Sequence, residues 1–350
     1  MIKHSTYTFA GDFELESGKS IPGFQLSYST FGELNENNDN IIWVCHALTG
    51  SSDFLVWWDG LFGKGRIYDP EKYFIICANT LGGCYGSTGP LSTNPATQKP
   101  FYHSFPSLTI RDIVKAFDYL RQHLGFSRIH TVIGGSMGGQ QALEWAIQSP
   151  EVFQHLIQIA SNAKHSPWGI AFNETQRAAI SQDITWQLSI DQAGLNGMKV
   201  ARSIALLSYR NYQTYELTQS EDSDEKVDHF KASSYQNYQG EKLSQRFNAY
   251  TYWILSKAMD SHNVGRNRGG ISPALNLIKS KCLFIGISTD VLFPIEEQAL
   301  LAKQVKGSTF NVLESKFGHD GFLIEYEQLS NSIYAFYKEV SEPEKIKLDN

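Results

Sequence analysis

The residue of this sequence best suited to chemistry is Ser136, at the centre of the string GGSMG at residues 134–138. An apolar, strand-like run at 129–133 precedes the string, and a helix-forming run at 140–146 follows it. A G-x-S-x-G string between a strand and a helix is typical of a nucleophile elbow, whereas the same letters elsewhere indicate a plain glycine-rich turn. The small neighbours allow a sharp turn that projects the hydroxyl above a sheet edge. The context therefore predicts a serine nucleophile that forms a covalent acyl intermediate.

A serine nucleophile needs a general base, and the base needs a carboxylate that orients it. Asp290 follows the apolar run 282–287, and His319 lies in a glycine-flanked turn after the run 310–313. Each residue has a simpler interpretation, because Asp290 could cap the following helix and His319 could be a surface histidine. The order serine, aspartate, histidine, with each residue after a predicted strand, favours a catalytic triad.

A tetrahedral intermediate on the serine also needs two backbone donors for its oxyanion. The N–H of Met137, at the start of the predicted helix, is the first candidate. The segment HALTG at 46–50 follows another strand-like run, and the N–H of Leu48 within it is the second candidate. We interpret His46 as a hydrogen-bonded histidine that shapes this loop. Cys84 lies in a glycine-rich loop, but nothing near it indicates a lowered thiol pKa, so we do not interpret it as a nucleophile.

The elements that position these residues follow a strand-helix-strand order, which implies right-handed crossovers and a mostly parallel central sheet with helices on both faces. Loops at the carboxyl ends of such strands are where open α/β sheets bind ligands. An antiparallel edge is expected at the first strand. The predicted strands are 21–31, 41–45, 73–78, 129–133, 154–160, 282–287 and 310–313, and the predicted helices outside the middle of the chain are 108–124, with Thr109 as its cap, 140–146, 295–305 and 324–340.

Between residues 165 and 273 the pattern changes to aromatic-rich helical stretches, interrupted by an acidic tract at 221–228. The strand pattern resumes afterwards, so we interpret this segment as an inserted helical lid. The predicted organisation is a core of residues 1–164 and 274–350 with a lid at 165–273. The last ten residues are charged, and we expect them to fray.

The composition excludes several classes of partner. A formal net charge of −6 and a pI near 5.9 give no general attraction to nucleic acid or to an anionic membrane. No apolar run approaches the length of a membrane span, and the first residues lack the apolar core of a signal peptide, so the expected location is cytoplasmic. The four cysteines show no C-x-x-C spacing, which predicts buried reduced thiols and no metal site.

Longer strings are spread over most of the chain and over the predicted lid. They are HALTGSSD at His46, NTLGGCYGSTGP at Asn79, GGSMGGQQALEWA at Gly134, LLSYR at Leu206, YQNYQGEKLSQRFNAYTYW at Tyr235, KAMDSHNVGRNRGG at Lys257 and FGHDGFL at Phe317. Together these strings resemble the homoserine O-acetyltransferase family. Gln140 departs from that resemblance, since the elbow of the family often has methionine there, and the acidic tract at 221–228 has no counterpart that we can match.

The resemblance implies an α/β-hydrolase fold with a helical lid and a homodimer joined through that lid. It also implies transfer of an acetyl group from acetyl-CoA, a co-substrate rather than a tightly bound cofactor, to the hydroxyl of L-homoserine in methionine biosynthesis. Carried over by motif, Ser136 is the nucleophile, Asp290 and His319 complete the triad, and Arg210 and Asp320 hold the amino acid.

Physical chemistry agrees with the last assignment. Homoserine is a zwitterion, so its site needs a cation for the carboxylate and an anion for the ammonium. Arg210 offers a bidentate fork, and Asp320 offers an anion beside the proposed base. Without the motif match, a surface salt bridge for Arg210 and a helix N-cap for Asp320 would be the simpler interpretations.

Several alternatives stay open at the level of sequence. Within the same family the donor could be succinyl-CoA, and the acceptor could be serine. Within the same fold the chain could be an esterase-like hydrolase, which needs neither Arg210 nor Asp320. A catalytically silent protein that binds a partner through the lid is a further alternative, but the intact set of Ser136, Asp290 and His319 argues against it.

Overall fold

A computed structural model describes residues 1–341, which are organised around an eight-stranded sheet. The strands of this sheet, in their spatial order, are β1 (Lys3–Glu14), β2 (Ser20–Phe31), β4 (Phe74–Ala78), β3 (Ile41–Cys45), β7 (Ile129–Gly135), β8 (Phe153–Ile159), β9 (Lys281–Ile287) and β10 (Thr309–Leu313), and a separate ribbon pairs β5 (Thr93–Asn94) with β6 (Lys99–Pro100). In the sheet, β1 and β2 pair antiparallel, as do β2 and β4, and every other neighbouring pair is parallel. The predicted mostly parallel sheet with an antiparallel edge is therefore confirmed.

Helices alternate with these strands along the chain. They are α1 (Phe54–Trp57), α2 (Ile110–His123), α3 (Met137–Gln148), α4 (Pro167–Ser181), α5 (Leu195–Tyr209), α6 (Tyr212–Gln219), α7 (Lys231–Ser244), α8 (Ala249–Asp260), α9 (Ile271–Leu275), α10 (Ile295–Gln304), α11 (Gly321–Ile324) and α12 (Tyr326–Ser341), with short 3-10 turns at Tyr102–Ser104 and Gly318–Asp320. The helices α4 to α9 all lie between β8 and β9, and we call them the helical insertion. Within residues 1–341, no helix combines the length and the apolar character that a bilayer crossing needs.

The strand β3 shows why its sequence is continuously apolar. All of its residues are buried, and successive side chains enter two different cores because side chains alternate across a sheet. On one face Trp43 packs against Phe117 and Trp145. On the other face Val44 shares a core with Trp58. The sheet is therefore covered on both faces, as predicted.

The helix α2 begins as its sequence predicts. Thr109 is the N-cap, and its hydroxyl accepts a hydrogen bond from the backbone N–H of Asp112. The Asp112 carboxylate in turn accepts one from the backbone N–H of Thr109, at 2.9 Å. This reciprocal pair is a capping box, which satisfies donors that the first helical turn leaves without partners.

The structure also differs from the sequence-based assignment. The strand β1 was not predicted, because it lies at the sheet edge and buries only Tyr7 and Phe13 among its twelve residues. The helix α3 begins at Met137 rather than at residue 140, because the glycines after Ser136 are helical. The predicted helix 324–340 begins at Tyr326, after the separate short helix α11. The prediction of a frayed terminus concerns residues outside the described range, apart from Ser341.

The two ends of the helical insertion meet each other. The N–H of His165 donates to the carbonyl of His262 at 3.0 Å, and the N–H of Val264 donates to the carbonyl of Ala163 at 2.9 Å. The strands before and after the insertion, β8 and β9, are parallel hydrogen-bonded neighbours. The helices thus form one excursion that leaves and rejoins the core at a single place.

Candidate active site

Ser136 occupies a strained turn between β7 and α3. Its backbone has φ of 58° and ψ of −126°, a conformation that a non-glycine residue adopts only when its surroundings enforce it. Two hydrogen bonds do so, since the Ser136 N–H donates to the carbonyl of Ile159 at 3.0 Å and the Ser161 hydroxyl donates to the Ser136 carbonyl at 2.8 Å. The hydroxyl of Ser136 has no hydrogen-bond partner among residues 1–341. The geometry is that of the predicted nucleophile elbow.

Close backbone approaches explain the glycines around Ser136. A Cβ atom at Gly138 would lie 2.1 Å from the carbonyl oxygen of Cys45, and one at Gly134 would lie 2.3 Å from the carbonyl of Gly138. Both distances are far below van der Waals contact, so these positions accept only glycine without a backbone shift. The same approach brings the start of α3 against the loop that leaves β3.

That loop carries the second predicted oxyanion donor. The N–H of Gly50 donates to the carbonyl of Ala47 at 2.9 Å, which closes a turn with Leu48 at its second position. The Leu48 N–H has no acceptor in the described part of the chain. Met137 is the first residue of α3, so its N–H has no acceptor within the helix. Neither predicted donor is used by another backbone acceptor in the described part of the chain, and their role as an oxyanion hole stays a prediction.

His46 shapes the same loop. Its Nδ1 donates to the carbonyl of Ala47 at 2.8 Å, and its Nε2 accepts from the N–H of Thr80 at 3.1 Å, which fixes a neutral tautomer. Burial lowers the pKa of His46 to about 4, so the ring stays neutral at physiological pH. This arrangement agrees with the interpretation of His46 as a structural histidine.

Asp290 and His319 form a buried pair at the same edge of the sheet. The Nδ1 of His319 lies 2.6 Å from Oδ2 of Asp290, and Oδ1 of Asp290 accepts hydrogen bonds from the N–H groups of Leu292 and Phe293 at 2.8 and 2.9 Å. His319 is only 3% exposed, so it is not a surface histidine. Burial disfavours the imidazolium, but the charge and the hydrogen bond of Asp290 outweigh burial and raise the pKa of His319.

Aromatic rings and a threonine hold the His319 loop. Phe293 stacks on the imidazole with ring centroids 5.3 Å apart, and Phe322 lies edge-on to it at 5.5 Å. The Phe322 ring also reaches the elbow, because a Cβ at Gly135 would lie 2.7 Å from it. Thr289 Oγ1 accepts from the N–H of Gly318 at 3.1 Å. Phe322 thus lies against both the elbow strand and the imidazole. No hydrogen bond within residues 1–341 joins the Ser136 hydroxyl to the His319 ring.

Arg210 and Asp320, the predicted amino-acid ligands, contact each other. Nε of Arg210 lies 2.8 Å from Oδ2 of Asp320, and the side chains are 24% and 18% exposed. The angle at Nε does not meet hydrogen-bond geometry, so the contact is an ion pair only. Burial raises the pKa of Asp320, while the nearby charges of Arg210 and Arg202 oppose that rise. The Asp320 side chain makes no capping hydrogen bond to α11, which removes the simpler N-cap interpretation.

Sequence reasoning gave no role to several residues that line this site. The ring of Tyr209 lies 5.8 Å from that of His319, and Phe293 and Phe322 contact the same imidazole. Tyr209 and Phe322 do lie in the strings LLSYR and FGHDGFL, which was the available signal. Cys84 is as expected, since burial raises the pKa of its thiol to about 11 and leaves it a poor nucleophile.

Comparison with known proteins agrees with this geometry. Residues 40–326 match the sequence profile of the alpha/beta hydrolase fold. A homoserine O-acetyltransferase of Cyclobacterium marinum is 56% identical over 325 residues, which cover 93% of this chain and 92% of that protein.

Solved structures with the same fold include both transferases and hydrolases. A homoserine O-acetyltransferase from Staphylococcus aureus superimposes with a TM-score of 0.81 at 27% identity and covers 100% of this chain and 98% of its own. An acetylester hydrolase from Corynebacterium glutamicum gives a TM-score of 0.83 at 27% identity, covering 96% of this chain and 95% of its own. The fold is therefore shared by transferases and hydrolases at equal identity, whereas the relative that is 56% identical over nearly the full length of both chains is a homoserine O-acetyltransferase. On that sequence identity, together with the elbow and the Asp290–His319 pair, the chain belongs to the homoserine O-acetyltransferase family of the α/β-hydrolase fold.

Proposed function

We propose that this enzyme transfers an acetyl group from acetyl-CoA to the hydroxyl of L-homoserine in methionine biosynthesis, through an acetyl-Ser136 intermediate. The observation that carries the proposal is the buried Asp290–His319 pair, at 2.6 Å, on the same sheet edge as the strained Ser136. The family identity indicates which acyl group and which acceptor to expect.

The first half-reaction acylates the serine. His319 Nε2 removes the proton from Ser136 Oγ, and Oγ attacks the thioester carbonyl of acetyl-CoA. The N–H groups of Leu48 and Met137 donate to the resulting oxyanion. As the tetrahedral intermediate collapses, the carbon–sulfur bond breaks, the CoA sulfur receives the proton from His319, and Ser136 retains the acetyl ester.

The second half-reaction repeats these steps with homoserine. His319 removes the proton of the homoserine hydroxyl, whose oxygen attacks the acetyl ester, and Ser136 Oγ leaves with that proton. Acceptor binding replaces the Arg210–Asp320 ion pair by two ion pairs, one between Arg210 and the homoserine carboxylate and one between Asp320 and its ammonium. The free site thus presents both charges close to the base.

We further propose that residues 165–273 act as a lid that keeps water from the acetyl-enzyme, which favours transfer over hydrolysis. The core would then comprise residues 1–164 and 274–350. Large apolar side chains exposed on the insertion support pairing of two copies through it; they include Val200, Leu207, Tyr212 and Leu217. A cytoplasmic location is part of the same proposal.

Steady-state kinetics with each donor and each acceptor test this function. We expect acetyl-CoA and homoserine to give the highest kcat/KM, with parallel double-reciprocal lines, against succinyl-CoA and serine as alternatives. CoA release that does not depend on homoserine would instead indicate an esterase-like hydrolase. Acetyl-CoA alone should leave an acetyl adduct on the Ser136 peptide, and Ser136→Ala should not. Intersecting lines without an adduct would contradict the acyl-enzyme.

A further inference from the structure

An arginine just after α7 reaches from the helical insertion to the predicted oxyanion turn. Nη1 of Arg246 donates to the carbonyl of Thr49 at 2.8 Å and also to the hydroxyl of Tyr85. The carbonyl of Arg246 itself lies 3.9 Å from the thiol of Cys84, which donates to it. Three contacts therefore join this one residue to two loops of the core.

The turn that Arg246 contacts is the one that presents Leu48. The hydrogen bond from Gly50 to Ala47 closes the turn, and Thr49 follows Leu48 within it. Two side chains contact carbonyl groups of this turn. His46 donates to the carbonyl of Ala47 at 2.8 Å, and Arg246 donates to the carbonyl of Thr49 at 2.8 Å. The Thr49 carbonyl and the Gly50 N–H belong to one peptide group, and the Ala47 carbonyl and the Leu48 N–H belong to another. The hydrogen bond from Gly50 to Ala47 joins these two groups, so fixing the Thr49 carbonyl restricts the peptide that carries the Leu48 N–H.

We infer that Arg246 is a positioning residue for the oxyanion hole, through which the helical insertion holds the Leu48 N–H in its orientation. The inference rests on the proposed function to the extent that Leu48 is an oxyanion donor. An arginine can do this because Nη1 of the guanidinium carries two N–H groups, so this one nitrogen donates to both Thr49 and Tyr85. A lysine ammonium can make similar contacts but lacks the fixed planar geometry of the guanidinium. A displacement of the insertion would then misalign a donor that both half-reactions use.

Arg246 is also exposed, so its guanidinium could instead contact a phosphate of CoA. The two roles differ in which substrates they affect. A phosphate contact matters only for donors that contain CoA, whereas an oxyanion donor matters for every acyl donor. p-Nitrophenyl acetate carries an acetyl group and no phosphate, so the burst of p-nitrophenol reports acylation of Ser136 without CoA or homoserine.

The variants to compare are Arg246→Ala, Arg246→Lys and Lys242→Ala. Lys242 is an exposed cation in the last turn of α7 and serves as the matched control. We expect Arg246→Ala to slow the p-nitrophenol burst, acylation by acetyl-CoA and deacylation by homoserine by one common factor, about tenfold, with KM values unchanged. Arg246→Lys should recover part of each rate, and Lys242→Ala should keep all three.

A boronic acid separates positioning from folding. An alkyl boronic acid forms a tetrahedral adduct on the serine oxygen that places a boron-bound oxygen in the oxyanion hole. We expect its affinity to fall by the same factor as the acylation rate in Arg246→Ala.

An unchanged boronate affinity with a slowed burst would overturn the inference, and so would a higher KM for acetyl-CoA with an unchanged burst. Full activity of Arg246→Ala would overturn it as well. Neither the burst measurement nor the boronate affinity involves homoserine. If homoserine were not the acceptor, only the deacylation measurement would fail, and the inference about Arg246 would still be tested.

Discussion

The guanidinium of Arg210 lies 2.8 Å from the carboxylate of Asp320, although the two side chains are expected to hold opposite ends of one amino acid. Arg210 ends α5 in the helical insertion, and Asp320 follows His319 in the core. In this arrangement each residue supplies to the other the countercharge that, under the proposed function, homoserine would provide. Burial raises the pKa of Asp320, and the charge of Arg210 opposes that rise.

Removal of Arg210 should impair the acceptor step alone. In Arg210→Ala the homoserine carboxylate loses its partner, and Asp320 loses the nearest charge that opposes its raised pKa. We expect deacylation by homoserine to lose about 3 kcal/mol of transition-state stabilisation, the lower end of the range for a broken charge pair because both side chains are partly exposed. Stopped-flow acylation by acetyl-CoA should be unchanged. Arg210→Lys should recover only part of the loss. Equal slowing of both half-reactions would assign Arg210 to CoA binding or to folding of the insertion.

Asp290→Asn should reverse the tautomer of His319. The N–H groups of Leu292 and Phe293 both donate to Oδ1 of Asp290, so an asparagine must keep its oxygen there and turn its NH₂ towards His319. Nδ1 then accepts instead of donating, and Nε2 carries the proton that it should remove. We expect turnover to fall by about 10⁴ with little change in KM.

The matched control for that variant is Glu297→Gln. Glu297 is a nearby carboxyl whose Oε2 accepts from Asn162 at 2.8 Å and makes no contact with His319, so we expect near wild-type turnover. Near-full activity of Asp290→Asn would mean that a different carboxylate orients the base.

The raised pKa of His319 fixes the acidic side of the pH profile. Only the neutral imidazole accepts the serine proton, so acylation should fall as pH decreases through a pKa above the ordinary value of 6.5. The Asp290 carboxylate causes the rise, so Asp290→Asn should move this limb to lower pH in its residual activity. The rate of the p-nitrophenol burst, measured from about pH 5 to about pH 9, gives the acidic limb of the wild-type enzyme and that of Asp290→Asn. A wild-type limb below pH 6.5 would contradict the pairing in the active form.

Glu297 should make the protein less stable as pH rises. Burial, followed by the charge of Asp290, raises its pKa from 4.5 to about 7, so the folded state binds a proton that the unfolded state releases between these values. The contribution of Glu297 to the free energy of unfolding therefore falls from pH 4.5 to about pH 7 and does not change further above that. Glu297→Gln should remove a drop of at most roughly 3 kcal/mol. Urea unfolding at about pH 5 and about pH 8 tests this, and an identical pH dependence of the two proteins would exclude Glu297 as the source.

The fold could be predicted where burial on both faces imposes a pattern. The strand β3 is apolar throughout because each side chain enters a core, and its predicted bounds are those of the structure. The strand β1 has the opposite character, since it is an exposed edge whose pairing with β2 depends on backbone hydrogen bonds that the sequence does not display. The individual helices of the insertion were not assigned for a similar reason, because contacts among them determine their ends.

The site could be predicted where its geometry is local. Small residues around Ser136 indicate a turn that forms within a few positions, and Gly138 is required by its approach to Cys45. The ion pair of Arg210 and Asp320 joins the end of a helix to a loop that is far away in the sequence, so no spacing of residues predicts it. Whether two charged residues hold a ligand or each other depends on distances that only the fold sets.

Two hydrogen bonds join the ends of the insertion, one between His165 and His262 and one between Ala163 and Val264. They allow the sequence of the insertion to change independently of the core. Because the chain departs and returns at one place, helices can be gained, lost or lengthened there without shifting the register of β8 on β9. The elbow and the Asp290–His319 pair then keep their geometry while the walls around the acceptor vary. If the insertion encloses the acceptor, as proposed, then remodelling this one peripheral segment would change the acceptor and leave the catalytic residues in place.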